Sequence, residues 1–198
     1  ERWASATGAP PRPSDADSLF EDLEPALPQA VAKFGDVVQG AVELTAALRG
    51  HGIPIGSTTG YSRAVMEVVC AHAARQGFHP DVVVTPEEVP AGRPAPWMCY
   101  LAAMRLGTYP MWRMVKIGDT PADIREGLNA GMWTIGVVES GNEIGLPSSE
   151  LEALPPSERE ARVTAASGRL REAGAHYVTA GVWSCLPIIE EIERRIAS

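Results

Sequence analysis

The segment of residues 114–138 constrains the fold more than any other part of the chain. It consists of an apolar run, an acidic turn with Gly118, Asp119 and Thr120, a helical pattern that a glycine ends, and a second apolar run. This order is typical of a βαβ unit, in which a helix connects two parallel strands. Open α/β sheets bind ligands at the carboxyl ends of their strands, so Asp119 is predicted to face such a crevice.

The same alternation recurs along most of the chain. Strands are predicted at 53–59, 81–85, 114–119, 133–138 and 176–179, and helices at 41–49, 62–76, 94–105, 121–130, 157–173 and 184–196. A proline-interrupted helix is predicted at about 14–33, and loops at 139–156. Nearly apolar strands that alternate with helices indicate a parallel sheet covered on both faces. We therefore expect an α/β fold with a Rossmann-like, doubly wound parallel sheet.

Composition limits the class of protein. A chain of 198 residues with 45% hydrophobic content can bury one substantial core. The net charge of -8 argues against a nucleic-acid or membrane-surface binder. The three cysteines are far apart and lack CxxC spacing, which favours a reducing cytoplasm over a disulfide framework or a zinc site. No apolar run has the length of a membrane span, and the visible start has no signal-peptide pattern.

Three strand ends carry polar residues that suit a phosphoryl group and a cation. Residues 56–61 end a strand in hydroxyls, just before a helix whose first N–H groups have no partner within the helix. Arg93 lies in a proline- and glycine-bearing loop before a helix, where a guanidinium can contact two phosphoryl oxygens. Asp119 and Asp123 are about one helical turn apart, so both carboxylates can approach one hard cation.

Each of these features also has a purely structural interpretation. Ser or Thr residues can cap the helix after residue 61, and Asp119 or Thr120 can cap the next one, with Pro121 and Asp123 favoured in its first turn. An isolated arginine is often only solvated. The order of hydroxyl, cation and paired acids on successive strands is what favours a site for a phosphoryl dianion and Mg²⁺.

The segments GSTTGYSR, TPEEVPAGRPAPWMCY and KIGDTPADIREGLNAGMWTIGV resemble the haloacid dehalogenase superfamily, and within it most closely the phosphonoacetaldehyde hydrolase family. The resemblance runs from about Asp15 to the C-terminus. It implies a haloacid dehalogenase-like core at 36–198, preceded at 1–35 by the tail of a helical cap domain.

The resemblance also implies roles for the residues at the strand ends. Thr59 would bind the phosphoryl group together with the Gly60 N–H, and Arg93 would take the place of a lysine found in relatives. Tyr61 would lie beside the site, or only pack there. Asp119 and Asp123 would serve Mg²⁺.

Two motifs of the resembling family are absent from this sequence: the nucleophilic aspartate of a DxxGT-like turn and the Schiff-base lysine of the cap. The only lysines are Lys33, near the end of the predicted cap helix, and Lys116. Strand alternation predicts that Lys116 faces away from Asp119. The resemblance implies that the first, central strand lies upstream. The strands that end at Thr59 and Asp119 should then not pair directly.

The activity implied by the resemblance is hydrolysis of phosphonoacetaldehyde to acetaldehyde and phosphate with Mg²⁺. A cap lysine would condense with the aldehyde, and an aspartate would take the phosphoryl group. The expected partner is a small-molecule phosphonate, with no nucleic acid and no membrane, in a homodimer formed through the cap. The isolated chain is expected to be inactive. The alternatives are another phosphatase or phosphomutase of the superfamily, and a non-catalytic phosphate-binding module.

Overall fold

The structure is a computed structural model, and it describes residues 7–10, 12, 15, 30–31 and 35–197. The helix predicted at about 14–33 and the cap tail predicted at 1–35 lie almost entirely outside these residues. The boundary between cap and core therefore stays a prediction.

Helices and strands alternate from residue 41 onward, as the sequence pattern predicts. The strands are β1 (Gly56–Thr58), β2 (Val82–Val84), β3 (Val115–Gly118), β4 (Trp133–Val137) and β5 (Tyr177–Thr179). The helices are α1 (Ala41–Gly50), α2 (Arg63–Arg75), α3 (Trp97–Leu106), α4 (Pro121–Asn129), α5 (Ser148–Ala153), α6 (Pro156–Glu172) and α7 (Cys185–Ala197). Each element predicted in this part of the chain is found, with bounds that differ by a few residues.

Helix α5 contradicts the prediction of loops at 139–156. It is a short helix with only one buried side chain, Leu151. So short a helix shows no apolar repeat in the sequence, and its position depends on the core into which Leu151 inserts.

The strands form two parallel sheets. β1 pairs with β2, so that Ser57 lies opposite Val83. The second sheet has the order β3-β4-β5, with Ile117 opposite Ile135 and Ile135 opposite Tyr177. Parallel pairing is confirmed. Within the described residues β1 and β3 do not pair, as expected from the resemblance. That a further strand lies between them stays a prediction.

Helices cover both faces of the three-stranded sheet. One face carries α4 and α6, whose Ile124 and Leu170 are fully buried together with Leu151 of α5. The other face carries α1 and α7, with Leu44 and Ile192 packed against Ile135. Burial of each such aliphatic side chain contributes about 1.5–3 kcal/mol to folding, so the two layers fix the strands from both sides.

Two glycines let α4 approach the second sheet closely. A Cβ on Gly127 would lie 2.7 Å from the Cβ of Lys116 and 2.8 Å from a methyl group of Thr134. A Cβ on Gly118 would lie 2.2 Å from the Cβ of Asp123. Both contacts are too short for any other residue, and together the two glycines allow α4 to lie directly against β3 and β4.

Among the helices that the structure describes, none combines the length and the apolar character needed to cross a bilayer.

Candidate active site

A cluster of charged side chains lies at the junction of the two sheets. We refer to the charged residues Arg93, Lys116, Asp123 and Glu126, together with the neighbouring Thr58, as the charged cluster. Arg93 Nη1 lies 2.8 Å from Asp123 Oδ1, and Arg93 Nε lies 3.2 Å from Glu126 Oε2. Lys116 Nζ lies 2.6 Å from the same Glu126 oxygen. Residues far apart in the sequence thus form one ionic network.

Thr58 connects this network to the first sheet. Its carbonyl oxygen accepts a hydrogen bond from Arg93 Nη2 at 2.5 Å. Its hydroxyl accepts one from Lys116 Nζ at 2.6 Å and donates one to Glu126 Oε2 at 3.0 Å. Because Thr58 belongs to β1 and Lys116 to β3, these side chains join strands that do not pair through their backbones.

The cluster is largely removed from solvent. The side chains of Glu126, Asp123 and Lys116 are 0%, 5% and 10% exposed, whereas Arg93 is 22% exposed. Burial of ions is costly unless they are paired, and here two cations face two carboxylates. Arg93 is the charged member that solvent, and therefore a ligand, reaches most easily.

Asp123 also closes the first turn of α4. Its N–H donates to Thr120 Oγ1 at 3.2 Å, while the Thr120 hydroxyl donates to Asp123 Oδ2 at 2.6 Å. The capping interpretation is therefore correct for Thr120 and Asp123. Burial raises the pKa of Asp123, but Arg93, Lys116 and Thr120 together outweigh that effect, and the pKa lies below its ordinary value. Asp123 is a carboxylate at neutral pH, with both oxygens bonded.

Asp119 follows β3 directly, as predicted, but its contacts are with the loop after β4. Its Oδ2 accepts hydrogen bonds from the backbone N–H of Asn142 at 2.7 Å and from Asn142 Nδ2 at 2.8 Å. A Cβ on Gly141 would lie 2.7 Å from the Asp119 Cβ, so this loop packs closely on the Asp119 side chain. Among the described residues no group donates to Asp119 Oδ1, which leaves that oxygen available to a cation.

Thr59, Gly60 and Tyr61 form the turn after β1. Thr59 Oγ1 accepts a hydrogen bond from the Tyr61 N–H at 3.1 Å. A hydroxyl that accepts keeps its own proton for donation, so Thr59 retains a donor for a ligand. Gly60 is exposed, and Tyr61 is 49% exposed. Ser62 is the N-cap of α2, as the structural interpretation of this turn predicts.

The structure brings Arg93 and Asp123 into contact, although they follow different strands. In the described part of the chain Thr58, and not Thr59, is the residue of this turn that bonds to Arg93. The predicted roles of Thr59, Gly60 and Tyr61 in phosphoryl binding stay predictions, as does the shared cation of Asp119 and Asp123.

Sequence reasoning missed Thr58, Lys116 and Glu126. Alternation sets Lys116 apart from Asp119 but overlooks α4, which packs on that strand and brings Asp123 to 3.6 Å from the lysine. A signal was available, because Lys116 is a charge within an apolar strand. Glu126 follows Asp123 by three residues, a spacing that puts both on one helix face.

The carboxylates fit magnesium only in part. Within the residues that the structure describes, no three His, Cys, Asp or Glu side chains form a metal site by themselves. Mg²⁺, however, usually takes only one or two carboxylates and completes its shell with water and phosphate oxygens. Asp119, with Oδ1 open, meets this requirement. Asp123 meets it less well, since Arg93 and Thr120 already bond to its oxygens.

Comparisons with known proteins agree with this fold. A protein-family model for haloacid dehalogenase-like hydrolases matches residues 9–131. The chain belongs to the haloacid dehalogenase-like hydrolase family. Hydrolases of this family typically use a divalent metal ion.

Relatives of this chain within that family carry a more specific name. A phosphonoacetaldehyde hydrolase from Nitratidesulfovibrio vulgaris is 50% identical over 196 residues, which are 99% of this chain and 70% of that protein. One from Bacillus cereus is 43% identical over 193 residues, 98% of this chain and 73% of that protein. The crystal structure of a phosphonoacetaldehyde hydrolase like protein from Oleispira antarctica superposes with a TM-score of 0.89 at 35% identity. That match covers 99% of this chain and 71% of the other.

Proposed function

We propose that this chain carries the phosphoryl- and cation-binding part of an enzyme that hydrolyses phosphonoacetaldehyde, a small phosphonate, to acetaldehyde and phosphate by cleaving its carbon–phosphorus bond. The observation that carries the proposal is the 50% identity, over nearly the whole chain, to a relative named for this activity. The position of Arg93, Thr59, Asp119 and Asp123 at the carboxyl ends of β1 and β3 supports it.

Charge balance supports a divalent cation at this site. The charged cluster contains two cations and two carboxylates, so it contributes no net charge, and Asp119 adds one negative charge. A phosphoryl dianion would therefore enter surroundings that are net negative. A bound Mg²⁺ would compensate this charge and polarise the phosphoryl oxygens. Asp119 Oδ1 would hold it. Asp123 would serve as the second carboxylate by giving up one of its present bonds to Arg93 or Thr120.

The chain's own residues bind and orient the phosphoryl group. The cluster holds the Arg93 guanidinium at all three nitrogens, and its remaining N–H donor would bind a phosphoryl oxygen. The Thr59 hydroxyl donates to a phosphoryl oxygen while it accepts from the Tyr61 N–H, and the exposed Gly60 N–H adds a second donor. Tyr61 flanks this turn. The resemblance assigns nucleophile and imine former to motifs outside this sequence, so the role of these residues is positioning and charge compensation.

The mechanism, location and oligomeric state of the enzyme are inferred from the same resemblance. We expect a Schiff-base mechanism, a cytoplasmic location and a homodimer formed through the cap. Sedimentation of a protein with the full length of the relatives would test the last of these, and a monomer at micromolar concentration would contradict it.

The activity is testable in a chimera. This chain would replace the matching 196 residues of the Nitratidesulfovibrio vulgaris relative. We expect the chimera to release acetaldehyde and phosphate from phosphonoacetaldehyde, and Arg93→Ala to lower the rate by about 100-fold or more, because it removes charge stabilisation in the transition state. A chimera that hydrolyses p-nitrophenyl phosphate but not phosphonoacetaldehyde would instead be a phosphatase of the same family.

A further inference from the structure

We propose that Glu126 is a positioning residue, which fixes the guanidinium of Arg93 and thereby sets the affinity of the site for a phosphoryl group. This inference rests on the proposed function, because it assigns Glu126 a role in the phosphoryl site described above.

Glu126 joins four separate parts of the fold through a single atom. Its Oε2 accepts hydrogen bonds from Thr58 Oγ1 at 3.0 Å, Arg93 Nε at 3.2 Å and Lys116 Nζ at 2.6 Å. These donors come from β1, the loop before α3, and β3, while Glu126 itself lies in α4. The side chain is 0% exposed, so its position is set by packing and does not depend on solvent.

The second oxygen of Glu126 argues against a purely structural role. Oε1 is buried, and among the described residues it has no hydrogen-bond partner. The nearby Cys99 thiol stays protonated, because burial raises its pKa to about 12, so it offers Glu126 only a weak S–H donor. A buried carboxylate with one oxygen left to a weak donor opposes folding, and apolar residues can often replace buried ion pairs without loss of stability. The arrangement therefore points to a function that needs the charge.

That function is to hold Arg93 in one orientation. Glu126 binds its Nε, Asp123 its Nη1 at 2.8 Å, and the Thr58 carbonyl its Nη2 at 2.5 Å, so the guanidinium plane is fixed at three corners. With a further contact to the Thr58 hydroxyl at 3.3 Å, these bonds leave at least one of the five N–H donors of arginine for a ligand. A guanidinium that is already oriented loses less conformational entropy when a phosphoryl group binds.

A double-mutant cycle tests this role on the 198-residue chain itself. The dissociation constant of inorganic phosphate is measured by calorimetry in saturating Mg²⁺ for wild type, Glu126→Gln, Arg93→Ala and the double variant. We expect Glu126→Gln to weaken phosphate binding about tenfold, the size expected for the loss of one charge-assisted hydrogen bond. In the Arg93→Ala background the same change should have little effect, because Glu126 acts through Arg93.

The direction of the change in phosphate affinity distinguishes a positioning role of Glu126 from a purely electrostatic one. Glu126→Gln removes a negative charge close to the site of an anion, so electrostatics alone would strengthen phosphate binding. Weaker binding can then be attributed to a guanidinium that has lost its orientation. Glu191→Gln is the matched control: it removes a carboxylate paired with Arg194 and Arg195 within α7, away from the cluster, and should leave phosphate affinity unchanged.

Thermal unfolding of each variant shows whether it is folded at the temperature of the titration. Should Glu126→Gln not fold, Glu126→Asp serves in its place, since it keeps the charge but is one methylene too short to reach all three donors. Weakened binding by Glu126→Asp, again only when Arg93 is present, supports the inference.

Two results would overturn it. Unchanged or stronger phosphate binding by Glu126→Gln would show that Glu126 does not orient Arg93, as would an equal loss with and without Arg93. In either case Arg93→Ala would still weaken binding, and the proposed function would stand. A wild-type chain that binds no phosphate at millimolar concentration would overturn the proposed function and this inference with it.

Discussion

Gly127 and Gly168 are both helical glycines, but only Gly127 contacts a strand. A Cβ at Gly127 would meet Lys116 and Thr134 at less than 3 Å, whereas nothing lies within 4 Å of a Cβ at Gly168. We predict that Gly127→Ala lowers the free energy of unfolding by about 1–3 kcal/mol through overpacking. Gly168→Ala should raise it by about 0.5–1 kcal/mol through helix propensity. Urea unfolding measures the free energy of unfolding of both variants. A change of the same sign and size in the two variants would contradict the close approach of α4.

Glu88 is the carboxyl group for which the structure most clearly predicts an effect of low pH on stability. A hydrogen bond from Arg105, and then one from the Thr85 N–H, lowers its pKa from 4.5 to about 2. A carboxylate whose pKa is lower in the folded state stabilises the fold above its unfolded pKa, and this contribution is lost as the pH falls. Glu88→Gln should therefore reduce stability at pH 7.

The same substitution should flatten the dependence of stability on pH between about 4.5 and 2, the interval between the unfolded and folded pKa values. Thermal unfolding across this interval is the measurement. A variant that loses stability on acidification as steeply as wild type would show that another carboxyl group accounts for the acid response.

At the scale of single residues, the sequence predicts what local chemistry determines and misses what distant contacts determine. Arg93 and Asp123 could be predicted because each stands next to a turn or a helix start, where its residue type has a known use. Glu126 was missed, because its spacing from Asp123 indicates only a shared helix face, while its role depends on donors from two strands and a loop. An acidic residue in a helix otherwise indicates only an exposed face.

Helix α4 is the element on which the site depends, and its first turn is fixed by the bonds between Thr120 and Asp123. Thr120→Ala removes the hydroxyl that donates to Asp123 at 2.6 Å and accepts from its N–H. We predict a loss of about 1–2 kcal/mol in the free energy of unfolding, the usual cost of an N-cap. Thr164→Ala, at an exposed position within α6, is the control and should be neutral or slightly stabilising.

Element types were predictable because apolar periodicity and glycine or proline stops are local signals. The lengths of the elements were less predictable than their types. The run at 53–59 contributes only three paired residues, since β1 is limited by its contact with the equally short β2. The order of the strands was not predicted, except that the resemblance implied no direct pairing of β1 and β3, because pairing between distant segments has no signature in either segment alone.

In the part of the chain that the structure describes, two parallel sheets are joined by the side chains of the charged cluster. Unpaired backbone groups at the facing edges of β1 and β3 would each cost about 1–3 kcal/mol if buried, against about 5–15 kcal/mol for a whole domain. We predict that the 198-residue chain alone unfolds at a lower temperature than the chimera with the relative's remaining residues. Equal melting temperatures would contradict the account of an incomplete sheet.

We propose that the ends of β1 and β3 form one site for a phosphoryl group and a divalent cation. Because the cluster is neutral and Asp119 is negative, Mg²⁺ and phosphate should each strengthen the binding of the other by the same factor, about tenfold or more. The affinity of this chain for phosphate, measured by calorimetry with and without Mg²⁺, tests this directly.

Asp119→Asn should abolish the effect of Mg²⁺ on phosphate binding. Glu139→Gln, which removes a carboxylate paired with Arg159, should leave the effect intact. Equal phosphate affinity with and without Mg²⁺ in the wild-type chain, or a full Mg²⁺ effect in Asp119→Asn, would contradict the shared site.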